Sequence, residues 1–258
     1  MNKLKIFFLL LFVIAIVVSA IVLANNWRSN INFNKITITG NYTISREEIL
    51  KSAHLKEDTI INIEELNIGI IQDRISEHPE IKRVFVSKEP PAELKIEILE
   101  KRPVAIINLG NEIKLVDEEL EIFSFKNYDK IYDLPVINGI NIPNIQRPGL
   151  GASENDLRLA LFIILESYKR GKYLYSYISQ INFSDSSKVK IHSNEKSIPF
   201  YLPKYPDKNI KDIEYQNEIK NKLVVLESFL EQIYAKNINQ DLQYVDLRFS
   251  NQVVVKYK

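Results

Sequence analysis

The feature that most constrains this chain is a run of residues without a charge, residues 6–24, with the sequence IFFLLLFVIAIVVSAIVLA. As a helix rising ~1.5 Å per residue it would be ~28 Å long, close to the ~30 Å hydrocarbon core of a bilayer. The sequence therefore predicts one membrane-spanning helix from Ile6 to Ala24, with Trp27 at the far membrane interface. A cleaved signal peptide is the alternative, because Val18-Ser19-Ala20 fits a cleavage site, but its apolar region normally runs only ~7–15 residues.

The charges that flank this helix predict its orientation. Lys3 and Lys5 precede it, whereas Arg28 alone follows it closely. Because lysine and arginine favour the cytoplasmic side, we expect a cytoplasmic tail at residues 1–5 and an N-terminus inside the cell. The helix would then be followed by a linker at 25–33, and the bulk of the chain would lie outside the cytoplasm, anchored once in the inner membrane.

Composition limits what the remainder can be. The chain has no cysteine, so extracytoplasmic domains would be held by apolar cores rather than by disulfides, as a hydrophobic content of 45% permits. The formal net charge is +1. No basic stripe indicates nucleic acid as a partner.

The stretch 79–105, PEIKRVFVSKEPPAELKIEILEKRPVA, predicts a β-hairpin. Two runs with period-two apolar residues flank the pair Pro90-Pro91, which cannot donate to a strand ladder and so marks the connection. Pro103 is expected to mark the end of the second strand.

Residues 34–103 are predicted to form a first domain of order β-α-α-β-β. The segment 33–39 alternates as a strand, and Ser45 with Glu48 three residues later forms a capping box for a helix at 46–53. Helical spacing at 64–77 predicts a second helix, which stops before Pro79.

Residues 104–258 are predicted to form a second, β-rich domain dominated by an antiparallel sheet with two helices. Strands are expected at 104–108, 113–116, 122–125, 177–183, 188–193 and 197–202, and a closing strand at 244–257. Ser153 is expected to cap a helix that runs to about Lys169, and a long helix is expected at 213–235. The segment 133–151 contains six prolines and glycines and is expected to be irregular.

Motifs for chemistry are absent from the sequence. His54, His78 and His192 show no metal-binding spacing, and neither a nucleophile elbow nor a glycine-rich phosphate loop occurs among the seven glycines. Acidic pairs such as Glu47-Glu48 suit helix N-termini better than glycan cleavage. We therefore expect a binding protein that is not an enzyme and uses no metal, cofactor or small-molecule substrate.

Three motifs together resemble the FtsQ/DivIB family of bacterial cell-division proteins. They are P-x-I-x-x-V-x-V at 79–86, P-x-x-L-x-I-x-I at 91–98 followed by E-K-R-P-V-A at 100–105, and V-D-L-R-F at 245–249. The first two resemble the family's POTRA domain, and the last resembles its closing Asp-Leu-Arg strand. The resemblance runs in order along the whole chain, except that the turn at 118–121 lacks the family's usual glycine and 127–208 offers no motif to match.

The resemblance implies a divisome scaffold at the septum that recruits FtsB-like and FtsL-like membrane proteins. A closing strand with alternating Val253 and Val255 can expose an unpaired edge to which a partner adds a strand. By analogy with the family, the expected binding residues are Arg248, Phe249, Ser250, Gln252, Val253, Val254 and Val255. The POTRA face around 81–86 and 94–98 would direct the protein to the division site. Two alternatives remain, a POTRA-bearing assembly chaperone for secreted or outer-membrane proteins and an anchored peptidoglycan enzyme.

Overall fold

The computed structural model describes residues 3–29, 32–33, 35–56, 61–62, 66–89, 93–110, 112–125, 132–140, 152–193, 198–236, 242–250 and 252–258. The chain divides into two compact units, Met1–Lys101 and Arg102–Lys258. Helices and strands are numbered below in chain order, and each unit is described by itself.

Helix α1 spans Lys3–Ser29. Its central part, Phe7–Ala24, has a mean hydropathy of 3.2 and lies outside any protein core, so it is long and apolar enough to cross a membrane. The helix continues beyond the predicted end at Ala24 and includes the first part of the predicted linker at 25–33. Residues 25–29 contain neither glycine nor proline, so nothing in them ends the helix.

The rest of the first unit has the predicted α+β order. Its elements are β1 (Asn32–Phe33), β2 (Lys35–Thr39), α2 (Arg46–Ser52), β3 (Ile61–Asn62), α3 (Ile68–Ser76), β4 (Ile81–Glu89) and β5 (Glu93–Glu100). β1 and β3 form a separate two-residue ladder. The main sheet has the order β2-β5-β4, in which β2 runs parallel to β5 and β4 pairs antiparallel with it.

The predicted hairpin is confirmed as β4 and β5. One face is apolar and buried, with Val86, Leu94 and Ile96 at most 3% exposed, and it packs with Ile49 and Ile75 of the two helices in one core cluster. This burial of alternate residues is what period-two patterning predicts. The connection at 90–92 lies outside the described residues.

Capping residues begin the helices α2 and α3. The Ser45 hydroxyl accepts from the backbone N–H of Glu48, as the capping box predicts. The Glu48 carboxylate does not complete the box but lies 3.0 Å from Nε2 of the buried His78. α3 begins at Ile68 after an Asn67 cap, later than the predicted start at residue 64.

The second unit contains a mixed sheet with two long helices and one short one among its described residues. Its elements are β6 (Pro103–Asn108), β7 (Ile113–Asp117), β8 (Ile122–Phe123), β9 (Val136–Asn138), α4 (Ala152–Arg170), α5 (Lys172–Tyr177), β10 (Ile178–Asn182), β11 (Lys188–Ser193), β12 (Pro199–Pro203), α6 (Ile213–Lys236), β13 (Leu242–Asp246) and β14 (Val254–Tyr257). The strand order is β14-β13-β12-β11-β10-β9-β6-β7-β8.

Antiparallel pairing dominates this sheet, as predicted, since five of its eight described strand pairs are antiparallel. The apolar stripes of α4 and α6 pack with the buried strand residues in a single core cluster. Leu157 and Ile164 of α4 and Ile219, Leu223 and Leu226 of α6 are at most 1% exposed. The prediction of an α+β protein with one N-terminal apolar helix is thus confirmed.

The structure differs from the sequence expectations for this unit in four places. Val136–Asn138 forms a strand inside the segment expected to be irregular, because both β6 and β10 pair with it. Pro103 was expected to mark the end of β5, but it is the first residue of β6. The first residue of a strand is a position where the missing N–H of proline is tolerated. The helix α5 was not predicted, and Ser153 lies inside α4 rather than before it.

Candidate partner-binding edge

The closing segment is a hairpin rather than the single strand predicted at 244–257. β13 pairs parallel with β12 on one side and antiparallel with β14 on the other. Leu247, the residue after β13, is 1% exposed, and β14 runs back along β13 from Val254. β14 is the last strand on this side of the described sheet, so one side of its backbone faces away from the sheet.

The turn after β13 begins at Leu247, and hydrogen bonds hold its first two residues, Leu247 and Arg248, in place. The backbone N–H of Leu247 donates to the carbonyl oxygen of Tyr201 in β12 at 3.0 Å. The Asp246 carboxylate accepts from the backbone N–H of Arg248 at 3.1 Å and from its guanidinium Nε and Nη2 at 2.9 Å and 2.7 Å. Both carboxylate oxygens are therefore occupied by one residue.

This pairing shifts the pKa values of both groups. Burial raises the pKa of Asp246, but the hydrogen bonds from Arg248 outweigh burial, and the net pKa lies below its usual value of 3.8. Hydrogen bonding to Asp246 raises the pKa of Arg248. The Asp246 carboxylate is thus charged, and Arg248 is directed along the turn by a bidentate pair.

The predicted binding residues fall into two groups. Arg248, Phe249, Ser250 and Gln252 lie in the turn, and Phe249 is 44% exposed. Val254 and Val255 lie in β14, and both Val253 and Val255 pack against the core of the unit. The structure therefore brings the whole set to one sheet edge, but only its last two members belong to a strand.

One contact at this edge was not anticipated from the sequence. Lys222 of α6 is 7% exposed, and its Nζ donates to the backbone carbonyl oxygen of Phe249. Its position in the sequence could have indicated that Lys222 is buried, since it lies next to the buried Leu223 and three residues after the buried Ile219.

Aromatic and lysine side chains line the face of the sheet beside this edge. The rings of Tyr201 and Tyr244 stack at 5.2 Å between centroids. The ammonium groups of Lys188 and Lys256 lie 4.5 Å and 5.9 Å from the two ring centroids. These contacts join β11, β12, β13 and β14 and stiffen the sheet up to its last strand.

The other described sites offer less to a ligand. A pocket of about 160 Å³ lies beside an ion pair of 2.8 Å between Lys204 and Asp156. Across the described ranges, no group of three or more His, Asp or Glu side chains could hold a metal ion. Ile6, Ala24 and Trp27 of the predicted anchor all lie in α1, where the surroundings of the Ile6 and Trp27 side chains are outside what the structure describes.

Comparisons with known proteins agree with this arrangement. Residues 31–101 match the POTRA domain of FtsQ type, and residues 105–248 match the C-terminal domain of the cell division protein FtsQ/DivIB. A cell division protein FtsQ of Geotalea daltonii is 26% identical over 86% of this chain and 74% of its own length. Those of Syntrophotalea carbinolica and Salinibacter ruber are 23% and 20% identical, over 86% and 94% of this chain and 72% and 89% of their own lengths.

An apolar N-terminal helix, a POTRA domain and a β-rich domain with an edge hairpin define the class as POTRA-bearing proteins, with one candidate membrane anchor among the described residues. Within that class the second match covers more than half of the chain. The chain belongs to the FtsQ/DivIB family of cell-division proteins.

Proposed function

We propose that this chain is a scaffold of the division machinery that captures an FtsB-like partner on the β14 edge and, with it, an FtsL-like protein. The observation that carries the proposal is the position of β14 at the end of the described sheet order, next to a turn with an exposed Phe249. Family membership supports a role in cell division, and the free edge of β14 offers backbone groups to which a partner strand can bind.

Strand addition is the expected mode of capture. An edge strand presents N–H and C=O groups that a second chain can pair with, so backbone bonds give affinity and alternate side chains give specificity. The partner strand would meet Val255 on the face that packs against the core, and Lys256 on the face that carries the Tyr201–Tyr244 stack. An alternating partner, apolar on one face and polar on the other, fits that surface.

The location of this activity follows from α1 and its flanking charges. Lys3 and Lys5 favour a cytoplasmic N-terminus, which would place the chain beyond α1 outside the cytoplasm, with the protein at the division septum. We propose that the protein acts there by binding and catalyses no reaction. A purified chain that released soluble fragments from isolated peptidoglycan would contradict this part of the proposal.

Capture can be measured with the full chain in lipid nanodiscs and the extracytoplasmic segment of the FtsB-like protein from the same bacterium. Phe249→Glu places a charge on the exposed ring position and should abolish capture. Phe85→Glu is the matched control, because Phe85 of β4 is an exposed phenylalanine, 59% exposed, in the other unit. Circular dichroism would show that each variant is folded.

Two proline variants test strand addition itself. Successive N–H groups of a strand point alternately to its neighbour and to the open edge, so one of Val254 and Val255 directs its N–H outward. Proline there removes a donor to the partner but no bond to β13. We expect one of Val254→Pro and Val255→Pro to keep the fold and lose capture. Retained capture by Phe249→Glu and by both folded proline variants would refute the edge mechanism.

A further inference from the structure

We propose that Lys222 is a positioning residue for partner capture, which fixes the backbone of residues 247–250 so that the Phe249 ring faces the partner. The proposal rests on the proposed function, because it assigns a residue of α6 to the binding edge. Lys222 itself touches the turn backbone and is only 7% exposed, so it acts through Phe249 rather than on the partner.

The buried ammonium group of Lys222 is stabilised by a hydrogen bond to the turn. A lysine ammonium loses favourable hydration when it is buried, and this cost is offset only if its hydrogen bonds are satisfied. The acceptor that the structure provides is the carbonyl oxygen of Phe249, which lies 27 residues further along the chain. Hydrogen bonds from a charged donor are roughly twice as strong as neutral ones, so this contact ties the turn firmly to α6.

The contact completes a set of three attachments along consecutive residues. Leu247 is held by Tyr201 of β12, Arg248 by Asp246 of β13, and Phe249 by Lys222 of α6. Only the third attachment reaches Phe249, and it uses the carbonyl group, which leaves the 44% exposed ring available. A turn ordered before the partner arrives spares the partner the entropy cost of ordering it.

A purely structural role for Lys222 makes a different prediction. If Lys222 served only the stability of the second unit, its loss would weaken capture equally whether or not the Phe249 ring is present. If it positions that ring, its loss should matter only while the ring is there. A double-mutant cycle separates the two cases.

The experiment measures capture of the same FtsB-like segment by the full chain in nanodiscs, with Lys222→Met made in the wild-type and in the Phe249→Ala background. Methionine keeps the length of the apolar stem but has no donor. We expect Lys222→Met to weaken capture by about tenfold in the wild-type background and by less than about twofold in Phe249→Ala. Lys220→Met, in which the lysine lies on the same helix over the Phe162 ring, is the control and should bind as the wild type does.

The outcomes distinguish this proposal from the one on which it rests. An equal loss in both backgrounds, or no loss in the wild-type background, would overturn the role of Lys222 while Phe249→Glu still abolished capture. Failure of the wild-type chain to bind at all would instead overturn the proposed function. If Lys222→Met does not fold, Lys222→Gln, which has a shorter and neutral donor, is carried through the same cycle.

Discussion

Glu100, the last residue of β5, accepts hydrogen bonds from Thr43 in the loop before α2 and so ties this loop to the strand. Its Oε2 accepts from the Thr43 hydroxyl at 2.7 Å and from the Thr43 backbone N–H at 3.0 Å, while Oε1 accepts from the N–H groups of Tyr42 and Ile44 at 2.8 Å and 2.9 Å. Burial raises the pKa of Glu100, but these hydrogen bonds outweigh it and bring the net pKa below its ordinary value of 4.5. A single carboxylate thus satisfies three consecutive backbone donors.

Replacement of this carboxylate should destabilise the first unit. Glu100→Gln removes the charge and half of the acceptors, and we expect a loss of about 2 kcal/mol, in the range for hydrogen bonds to a charged group. Because the folded-state pKa is depressed, the stabilisation is present above about pH 4.5 and is lost as the pH falls through the folded-state pKa. Hydrogen exchange read by mass spectrometry reports this unit separately within the full chain. Glu97→Gln, exposed on the same strand, should change little.

Replacement of Gly40 by alanine should lower the stability of the protein strongly. It has a φ of +81°, and a Cβ there would collide with the carbonyl oxygen of Ile98 in β5. Gly110 has a similar φ of +86°, but no atom of the described residues lies within 4 Å of its Cβ position. Gly110→Ala should therefore cost only the left-handed backbone penalty of about 1–2 kcal/mol, and Gly40→Ala should cost considerably more. Urea unfolding of both variants tests this, and equal losses would contradict the collision.

Lys204 should stabilise the second unit through Asp156. Burial raises the pKa of Asp156 above its usual 3.8, although Lys204 partly counteracts the effect. Lys204→Met would leave this carboxylate without its cation, and breaking such a pair costs about 3 kcal/mol. Since the folded-state pKa of Asp156 is then raised further, the loss should be largest at neutral pH and shrink as the pH falls and the carboxyl group is protonated. Hydrogen exchange of residues 152–193 in the wild type and in Lys204→Met gives the loss of stability at pH 7 and at pH 5. A loss that does not depend on pH would contradict a role of Lys204 through the Asp156 carboxylate.

Asp246 should control the order of the binding turn. Asp246→Asn removes one charge of the pair with Arg248, and we expect faster hydrogen exchange at 247–250 and weaker capture of the FtsB-like segment. The depressed pKa of Asp246 means that the wild-type turn should remain ordered down to its ordinary value of 3.8 and loosen as the pH falls further. Asp212→Asn changes an exposed aspartate outside this sheet and is the control.

Sequence reasoning succeeded where local patterns determine structure. The period-two runs of β4 and β5, the Ser45 cap and the apolar stripes of α4 and α6 depend on residues near each other in sequence, and all are found as predicted. It failed for Val136–Asn138, since a three-residue strand has too few residues for a pattern and is formed only because β6 and β10 flank it.

The binding edge was only partly predictable for the same reason. Motif resemblance predicted a binding segment at 248–255, but the start of a strand at Val254 depends on pairing with Asp246 of β13, which the motif does not show. The contact between Lys222 and Phe249 joins a helix to a turn across the fold, and a lysine beside an apolar stripe is ordinarily an exposed residue.

The order of the strands along the chain has a consequence for biosynthesis. Because β12, α6, β13 and β14 follow one another in sequence and β14 lies at the sheet margin, the β14 edge is the last part of the described sheet to emerge from the ribosome. A nascent chain, or one cut by a protease within α6, could keep its anchor and first unit but would carry no surface for a partner. On the proposed mode of capture, a partner would therefore bind only copies in which this described sheet is complete.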